Sequence, residues 1–209
     1  MSKSEPTVFI VDDDEAVQQS LTMLLGTVGL NAQAYRSAED FLDDYDPAAQ
    51  PGCLLLDVRM PGMSGMELQA RLAEKPTRTQ VIIITGHGDV PMAVEAIKAG
   101  AVDFIEKPFR DQVLLDSIQR ALELDAKARR EQAERADIEA KIARLTPRER
   151  QIADLVVLGK STKTIAYELG ISQKTVDFHR VNILEKMRVD SVVELVRLMH
   201  LMRRMPVLI

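Results

Sequence analysis

The chain has 209 residues, 46% of them hydrophobic and 28% charged, with a net charge of −5 and one cysteine. This is an ordinary composition for a globular protein, long enough for one large domain or two small ones. It excludes an internal disulfide framework, and no apolar run approaches the roughly 20 residues needed to span a bilayer.

Charge is unevenly distributed. Residues 1–121 carry 10 basic and 19 acidic side chains, residues 122–145 carry 6 and 6, and residues 146–209 carry 11 and 7. An acidic front and a basic back predict two domains with different partners, only the second suited to a phosphate backbone. The polar stretch Met1–Thr7 runs straight into a strand and predicts no signal peptide. The lone Cys53, beside an apolar run, predicts a buried, inert thiol and a reducing cytoplasm.

Val8–Val11 reads as a buried strand. Glu15–Leu25 places Ala16, Val17, Leu21, Leu24 and Leu25 at helical spacing, and Gly26 and Gly29 punctuate its end. Ala32–Tyr35 is a weak strand, and Ser37 caps a helix. Leu54–Leu56 is a strand, Pro61-Gly62 a turn, Gly65–Leu72 a helix and Val81–Ile84 a β-branched strand. Pro91–Ala99 is a helix stopped by Gly100, Ala101–Ile105 the last strand and Asp111–Leu124 the last helix. Uniformly apolar strands alternating with helices predict an α/β fold: a doubly wound, five-stranded parallel sheet whose site lies at the carboxyl ends of its strands.

Residues 122–145 contain no Gly or Pro and only a thin apolar stripe of Ile138, Ile142 and Leu145. They predict a solvated linker helix continuing the one before, too poor in apolar heptads for a long coiled coil. From Thr146 the pattern changes. Thr146-Pro147-Arg148-Glu149 is a capping box opening a helix to about Leu158. Ser161 caps Thr162–Leu169, Gly170 ends it, and Ser172 caps Gln173–Met187. Ser191 with Glu194 opens a fourth helix to about Met202. The expected domains are 7–124, a helical linker 125–142, and a small all-α four-helix domain over 143–204.

Asp12, Asp13 and Asp14 follow the first strand, Asp57 the third, Thr85 the fourth and Lys107 the fifth. In a doubly wound sheet these ends converge. Crowded carboxylates repel one another unless a cation joins them, and Mg²⁺ is the hard ion that prefers oxygen ligands. Asp12–Asp14 alone would read as a solvated acidic turn; acid, hydroxyl and lysine recurring at four strand ends point instead to phosphoryl transfer.

The segments Val11–Asp14, Leu56–Gly65, Ile84–Val94 and Asp103–Phe109 resemble the receiver domains of response regulators over residues 7–124. The resemblance implies a CheY-like receiver in which Asp57 accepts a phosphoryl group from a sensor histidine kinase. It implies Mg²⁺ on Asp12, Asp13, Asp57 and the backbone carbonyl of Arg59, with Asp14 outside the metal shell. Lys107 would contact phosphate, with a cis peptide to Pro108, and Thr85 and Phe104 would form a switch pair. His87 is read as a loop residue without a firm role.

Thr164–Ser172 joins a short helix to a longer one through a glycine turn, a helix-turn-helix pattern. The stretches Leu145–Arg150, Ile165–Ser172 and Lys174–Arg180 resemble LuxR-type (GerE-type) DNA-binding domains, and the whole chain is similar to the FixJ subgroup of NarL/FixJ regulators. The resemblance implies that Lys174, Thr175, Asp177, Phe178 and Arg180 face the major groove or its rim, while Val176 and Ile183 face the core. The expected partners are double-stranded DNA, a second copy of the chain after phosphorylation and RNA polymerase, with no membrane. Val90, Met92, Lys98 and Phe109 are candidates for the dimer surface by position alone. Two other readings stay open: a phosphohydrolase using an aspartyl phosphate, and an adaptor whose helical domain binds protein.

Overall fold

The computed structural model describes residues 5–46, 50–74, 79–86 and 88–204, with Arg203 and Arg204 described by backbone alone; His87 lies outside this set. The chain divides into two compact units, Met1–Arg129 and Arg130–Ile209.

In the first unit strands and helices alternate: β1 (Thr7–Val11), α1 (Glu15–Thr27), β2 (Asn31–Tyr35), α2 (Ala38–Asp44), β3 (Gly52–Leu56), α3 (Gly65–Ala73), β4 (Gln80–Thr85), α4 (Val90–Lys98), β5 (Asp103–Glu106) and the first half of α5 (Asp111–Ala143), whose second half belongs to the second unit. The strands form one parallel sheet in the order β2-β1-β3-β4-β5, the doubly wound fold expected. The period-two alternation of the strands sorts their side chains into two cores. Phe9, Val11, Leu54, Leu56, Val81 and Ile83 pack with Phe41, Leu68, Leu72 and Ala96 from α2, α3 and α4. Val8, Ile10, Cys53, Leu55, Ile82 and Ile84 pack on the other face with Leu21, Leu25, Leu114 and Ile118 from α1 and α5. Burial pushes the Cys53 thiol up to about 12, so it is inert at neutral pH.

α5 runs on without a break through the linker helix that the sequence predicts, and it is tied down near residue 125. The buried Asp125 carboxylate accepts from the Gly52 backbone N–H (3.1 Å) and from Arg129 Nε (2.8 Å), while Arg129 Nη2 donates to the Gln50 carbonyl (2.6 Å). The solvated reading of residues 125–142 therefore fails at Asp125, and at Ile138 and Ile142, which are buried with Leu145 in the core of the second unit.

The second unit adds α6 (Pro147–Val157), α7 (Thr162–Leu169), α8 (Gln173–Met187) and α9 (Val192–Arg204). Its helix starts follow the local chemistry. Thr146 and Glu149 form the capping box, and Ser161 and Ser172 accept the N–H groups of Thr164 and Thr175. At α9, Ser191 accepts from Glu194 N–H, but the Glu194 carboxylate reaches back to Asp190 N–H rather than to Ser191. Gly170 ends α7 at φ 64°, a left-handed conformation that favours glycine and turns the chain toward α8. Val176, Ile183 and Met187 are the buried residues of α8, as the resemblance implies for the first two.

Candidate functional site

β1 and β3 are neighbours in the sheet, and helices leave them toward opposite faces, so a crevice opens beyond their carboxyl ends. Asp12 and Asp57 stand at those ends, both buried, and Thr85 is buried at the end of β4. Lys107 enters from the end of β5, its Nζ donating to Asp12 Oδ2 (2.6 Å) and Asp57 Oδ1 (3.0 Å). The Lys107–Pro108 peptide is cis, as the resemblance implies.

Backbone groups hold the acids in place. Asp57 N–H donates to the Val11 carbonyl (2.9 Å), and its Oδ2 accepts from Arg59 N–H (2.8 Å). Asp12 Oδ1 accepts from Asp14 N–H (2.9 Å). Asp14 turns away from the pocket and caps α1, its Oδ1 accepting from Ala16 N–H (2.8 Å). Asp13 and Arg59 are exposed at the rim. Spacing alone did not mark Gln18. Its side-chain amide is buried and donates to the carbonyls of Asp12 (2.5 Å) and Tyr35 (2.9 Å), joining the ends of β1 and β2 beneath the pocket.

Two buried carboxylates share one ammonium. Burial pushes the Asp12 carboxyl up, opposed by its bond to Lys107. Burial would lower Lys107, but its bonds to Asp12 and Asp57 outweigh that and raise it, so the ammonium stays charged. Converging hard oxygen donors already drawn to one cation fit a divalent ion such as Mg²⁺. Among the described residues no three His, Cys, Asp or Glu side chains close into an all-protein metal cage. Mg²⁺ retains several waters and does not need one.

Phe104, on β5, is partly buried and packs against the core beneath α4. Its ring lies so close to Gly88 that a Cβ there would come within 2.8 Å of it and 3.5 Å of the Thr85 methyl. Both expected switch residues therefore meet the β4–α4 loop. On α4, Val90 is 77% exposed and Lys98 is exposed. Met92 turns into the core below α4, and Phe109 packs into the core on the other face of the sheet. Val94 and Ile97, which were not singled out, continue the exposed stripe of Val90 at helical spacing.

In the second unit Lys174, Asp177 and Phe178 are exposed on α8, and Thr175 and Arg180 are half-buried. Thr175 is partly occupied by the Ser172 cap. Arg180 Nη1 donates to Thr162 Oγ1 (2.7 Å), whose hydroxyl donates to Asp177 Oδ1 (3.4 Å), so these two α8 residues are tied to α7.

Glu149 holds this unit together more than a cap would. Its buried carboxylate accepts from Thr146 N–H (2.7 Å), Thr146 Oγ1 (2.9 Å) and Lys186 Nζ (2.6 Å), linking α6 to α8. Burial would raise its pKa, but Lys186 and the Thr146 donors hold the carboxyl below its ordinary 4.5. A carboxylate lowered in the folded state stabilises above its unfolded pKa and loses that contribution as pH falls through the folded one. Glu149→Ala is expected to destabilise the helical unit by about 2 kcal/mol in thermal melts at neutral pH, and by progressively less below pH 4.5. A pH-independent difference between the two proteins would show that packing, not the charge, is what Glu149 supplies.

Comparison with known proteins agrees with this geometry. Residues 8–119 match the response regulator receiver domain, and residues 143–199 match the luxR family of bacterial regulatory proteins. The chain is 48% identical to the transcriptional regulatory protein FixJ of Rhizobium meliloti over 92% of this chain and 94% of that protein. It is 46% identical to the response regulator protein TmoT of Ectopseudomonas mendocina, covering 94% of this chain and 89% of that one. The structure of the response regulator StyR superposes with a TM-score of 0.87 at 44% identity, covering 94% of this chain and 99% of that one. Among the described residues no helix is long and apolar enough to cross a membrane. With a receiver fold in front and a LuxR-type helix-turn-helix behind, the chain belongs to the FixJ-like two-component response regulators.

Proposed function

We propose that this protein is a phosphorylation-switched transcription regulator in which Asp57 accepts a phosphoryl group from a sensor histidine kinase. The observation that carries the reading is the sharing of Lys107 by Asp12 and Asp57, at the crevice where the strand order reverses. One Asp57 oxygen attacks the phosphorus of the kinase's phosphohistidine, and the P–N bond breaks as the O–P bond forms, so that the imidazole leaves on the kinase. Lys107, already charged, moves its bonds from the carboxylate to the incoming phosphoryl oxygens. Asp12, Asp13, Asp57 and the Arg59 carbonyl would hold Mg²⁺, which supplies positive charge against those oxygens. Thr85, at the end of β4, would hydrogen-bond the product, and Phe104 behind the same loop would follow it, biasing a two-state surface.

The surface proposed to respond is the outer face of α4. Val90, Val94 and Ile97 form its apolar stripe, with Lys98 at its end. Met92, packed into the core under α4, would act on that face from behind, whereas Phe109 packs on the far side of the sheet and is not part of it. Pairing of two copies there would bring two helix-turn-helix units to half-sites about one helical turn apart. Lys174, Thr175, Asp177, Phe178 and Arg180 form the DNA face of α8, and RNA polymerase is the partner of the assembled complex. The reading favours a cytoplasmic location, where kinase, DNA and polymerase meet. Family membership speaks against the phosphohydrolase reading.

The test is the molecular mass by light scattering in Mg²⁺, with and without beryllofluoride, for wild type and Asp57→Ala. A monomer that dimerises only with the mimic, and only when Asp57 is present, is the expected result. A mass that never changes would remove dimerisation and leave release of the DNA-binding unit within one chain.

A further inference from the structure

We propose that Phe178, backed by Val181, reads thymine methyl groups in the major groove; this rests on the DNA-binding reading above. The buried residues of α8 are Val176, Ile183 and Met187. The opposite stripe runs Lys174, Phe178, Val181 and Glu185, all exposed. At its centre a large apolar pair at i, i+3 faces water, Phe178 at 62% and Val181 at 56% exposure. The fold does not require either there, because the helical core closes without them. The Phe178 ring is steadied edge-on against His179, with centroids 5.8 Å apart.

The polar neighbours are engaged elsewhere. Arg180 and Asp177 are joined through the Thr162 hydroxyl on α7, and Thr175 with Ser172 caps the helix. Asp177 stays exposed beside this stripe with one oxygen held by Thr162, and along the stripe itself a basic residue, Lys174, is followed one turn later by an aromatic ring. That sequence of chemistries matches a DNA major groove, with Lys174 suited to phosphate or guanine. The ring can neither donate nor accept a hydrogen bond, and the apolar group that a base edge offers in that groove is the thymine C5-methyl. A second copy of the chain would also bury an apolar pair, but the excess of basic groups over residues 146–209 favours nucleic acid.

The test uses the full-length protein treated with beryllofluoride in Mg²⁺. Duplexes are selected from a random pool, and affinity is compared by fluorescence anisotropy between the selected duplex and the same duplex with deoxyuridine for every thymine. Wild type is expected to lose about four-fold for each methyl it contacts. Phe178→Ala is expected to bind both duplexes equally, with the salt dependence of wild type, and Phe178→Leu to keep part of the discrimination. Because Phe178 is exposed, its replacement should leave thermal unfolding unchanged. Equal wild-type affinity for the two duplexes would overturn the inference, as would discrimination retained by Phe178→Ala. A Phe178→Ala protein that fails to dimerise with beryllofluoride would assign the ring to a protein interface and overturn it too. Failure to bind any duplex at any salt would instead overturn the DNA-binding reading on which it rests.

Discussion

Asp57→Ala is expected to abolish uptake of a phosphoryl group from acetyl phosphate or phosphoramidate in Mg²⁺, leaving a rate on the order of 10³-fold or more below wild type. Intact mass spectrometry measures it directly. The loss should be chemical, not structural. The backbone bond from Asp57 N–H to the Val11 carbonyl survives the substitution; what disappears is one carboxylate, its bond to Lys107 and its bond from Arg59 N–H. The charge of Asp57 is one of the influences that raise the Asp12 carboxyl, so its removal eases the remaining acid, which keeps Lys107. Thermal stability in the absence of Mg²⁺ should therefore be equal to wild type or higher. Asp12→Asn provides the contrast. It keeps the acceptor but weakens the oxygen donor set, so uptake should return as Mg²⁺ is raised. Uptake by Asp57→Ala at the wild-type rate would move the acceptor to Asp12 or Asp13.

What the sequence shows of this molecule is what short-range chemistry controls. Strands buried on both faces must be apolar throughout, so β1, β3 and β4 stand out as unbroken runs, and the acids just beyond them mark the crevice. Caps are legible for the same reason: Ser37 accepting from Asp40 N–H and Thr146 with Glu149 make bonds only three residues long. The site residues that escaped notice act over longer distances. Gln18 reaches the carbonyl just beyond β1 and the one that ends β2, and Thr162 joins Asp177 and Arg180 from 15 and 18 residues away. Met92 lies in the first turn of α4 and Phe109 just after β5, but which core receives them depends on how the helices cross the sheet. Asp125 reads as one more charge on a solvated helix until Gly52, 73 residues away, is found donating to it.

Gly65→Ala is expected to damage both the fold and the site. Gly65 is the first residue of α3, behind the capping box of Ser64 and Glu67, and its N–H donates to the Val58 carbonyl (3.0 Å). Its Cα rests against the backbone of the proposed phosphoacceptor: a Cβ would stand 2.1 Å from the Asp57 carbonyl oxygen and 3.0 Å from Val58 Cα. Neither is the end of a flexible side chain, so the backbone itself must move. Either α3 backs off, losing contacts of the buried Leu68 and Leu72, or the Asp57–Val58 segment just beyond β3 is displaced. Destabilisation of about 3 kcal/mol follows from a displacement of this kind. A shift of about 1 Å at a reacting carboxylate lowers its rate by roughly 10²-fold. Gly26→Ala is the matched control. Gly26 lies inside α1 with nothing within 4 Å of its would-be Cβ, so the same added methyl should stabilise by about 0.5–1 kcal/mol and leave phosphorylation unchanged. If Gly65→Ala melts and phosphorylates like wild type, the β3–α3 loop has room that this structure does not contain, and Asp57 is held by its side-chain partners rather than by the helix behind it.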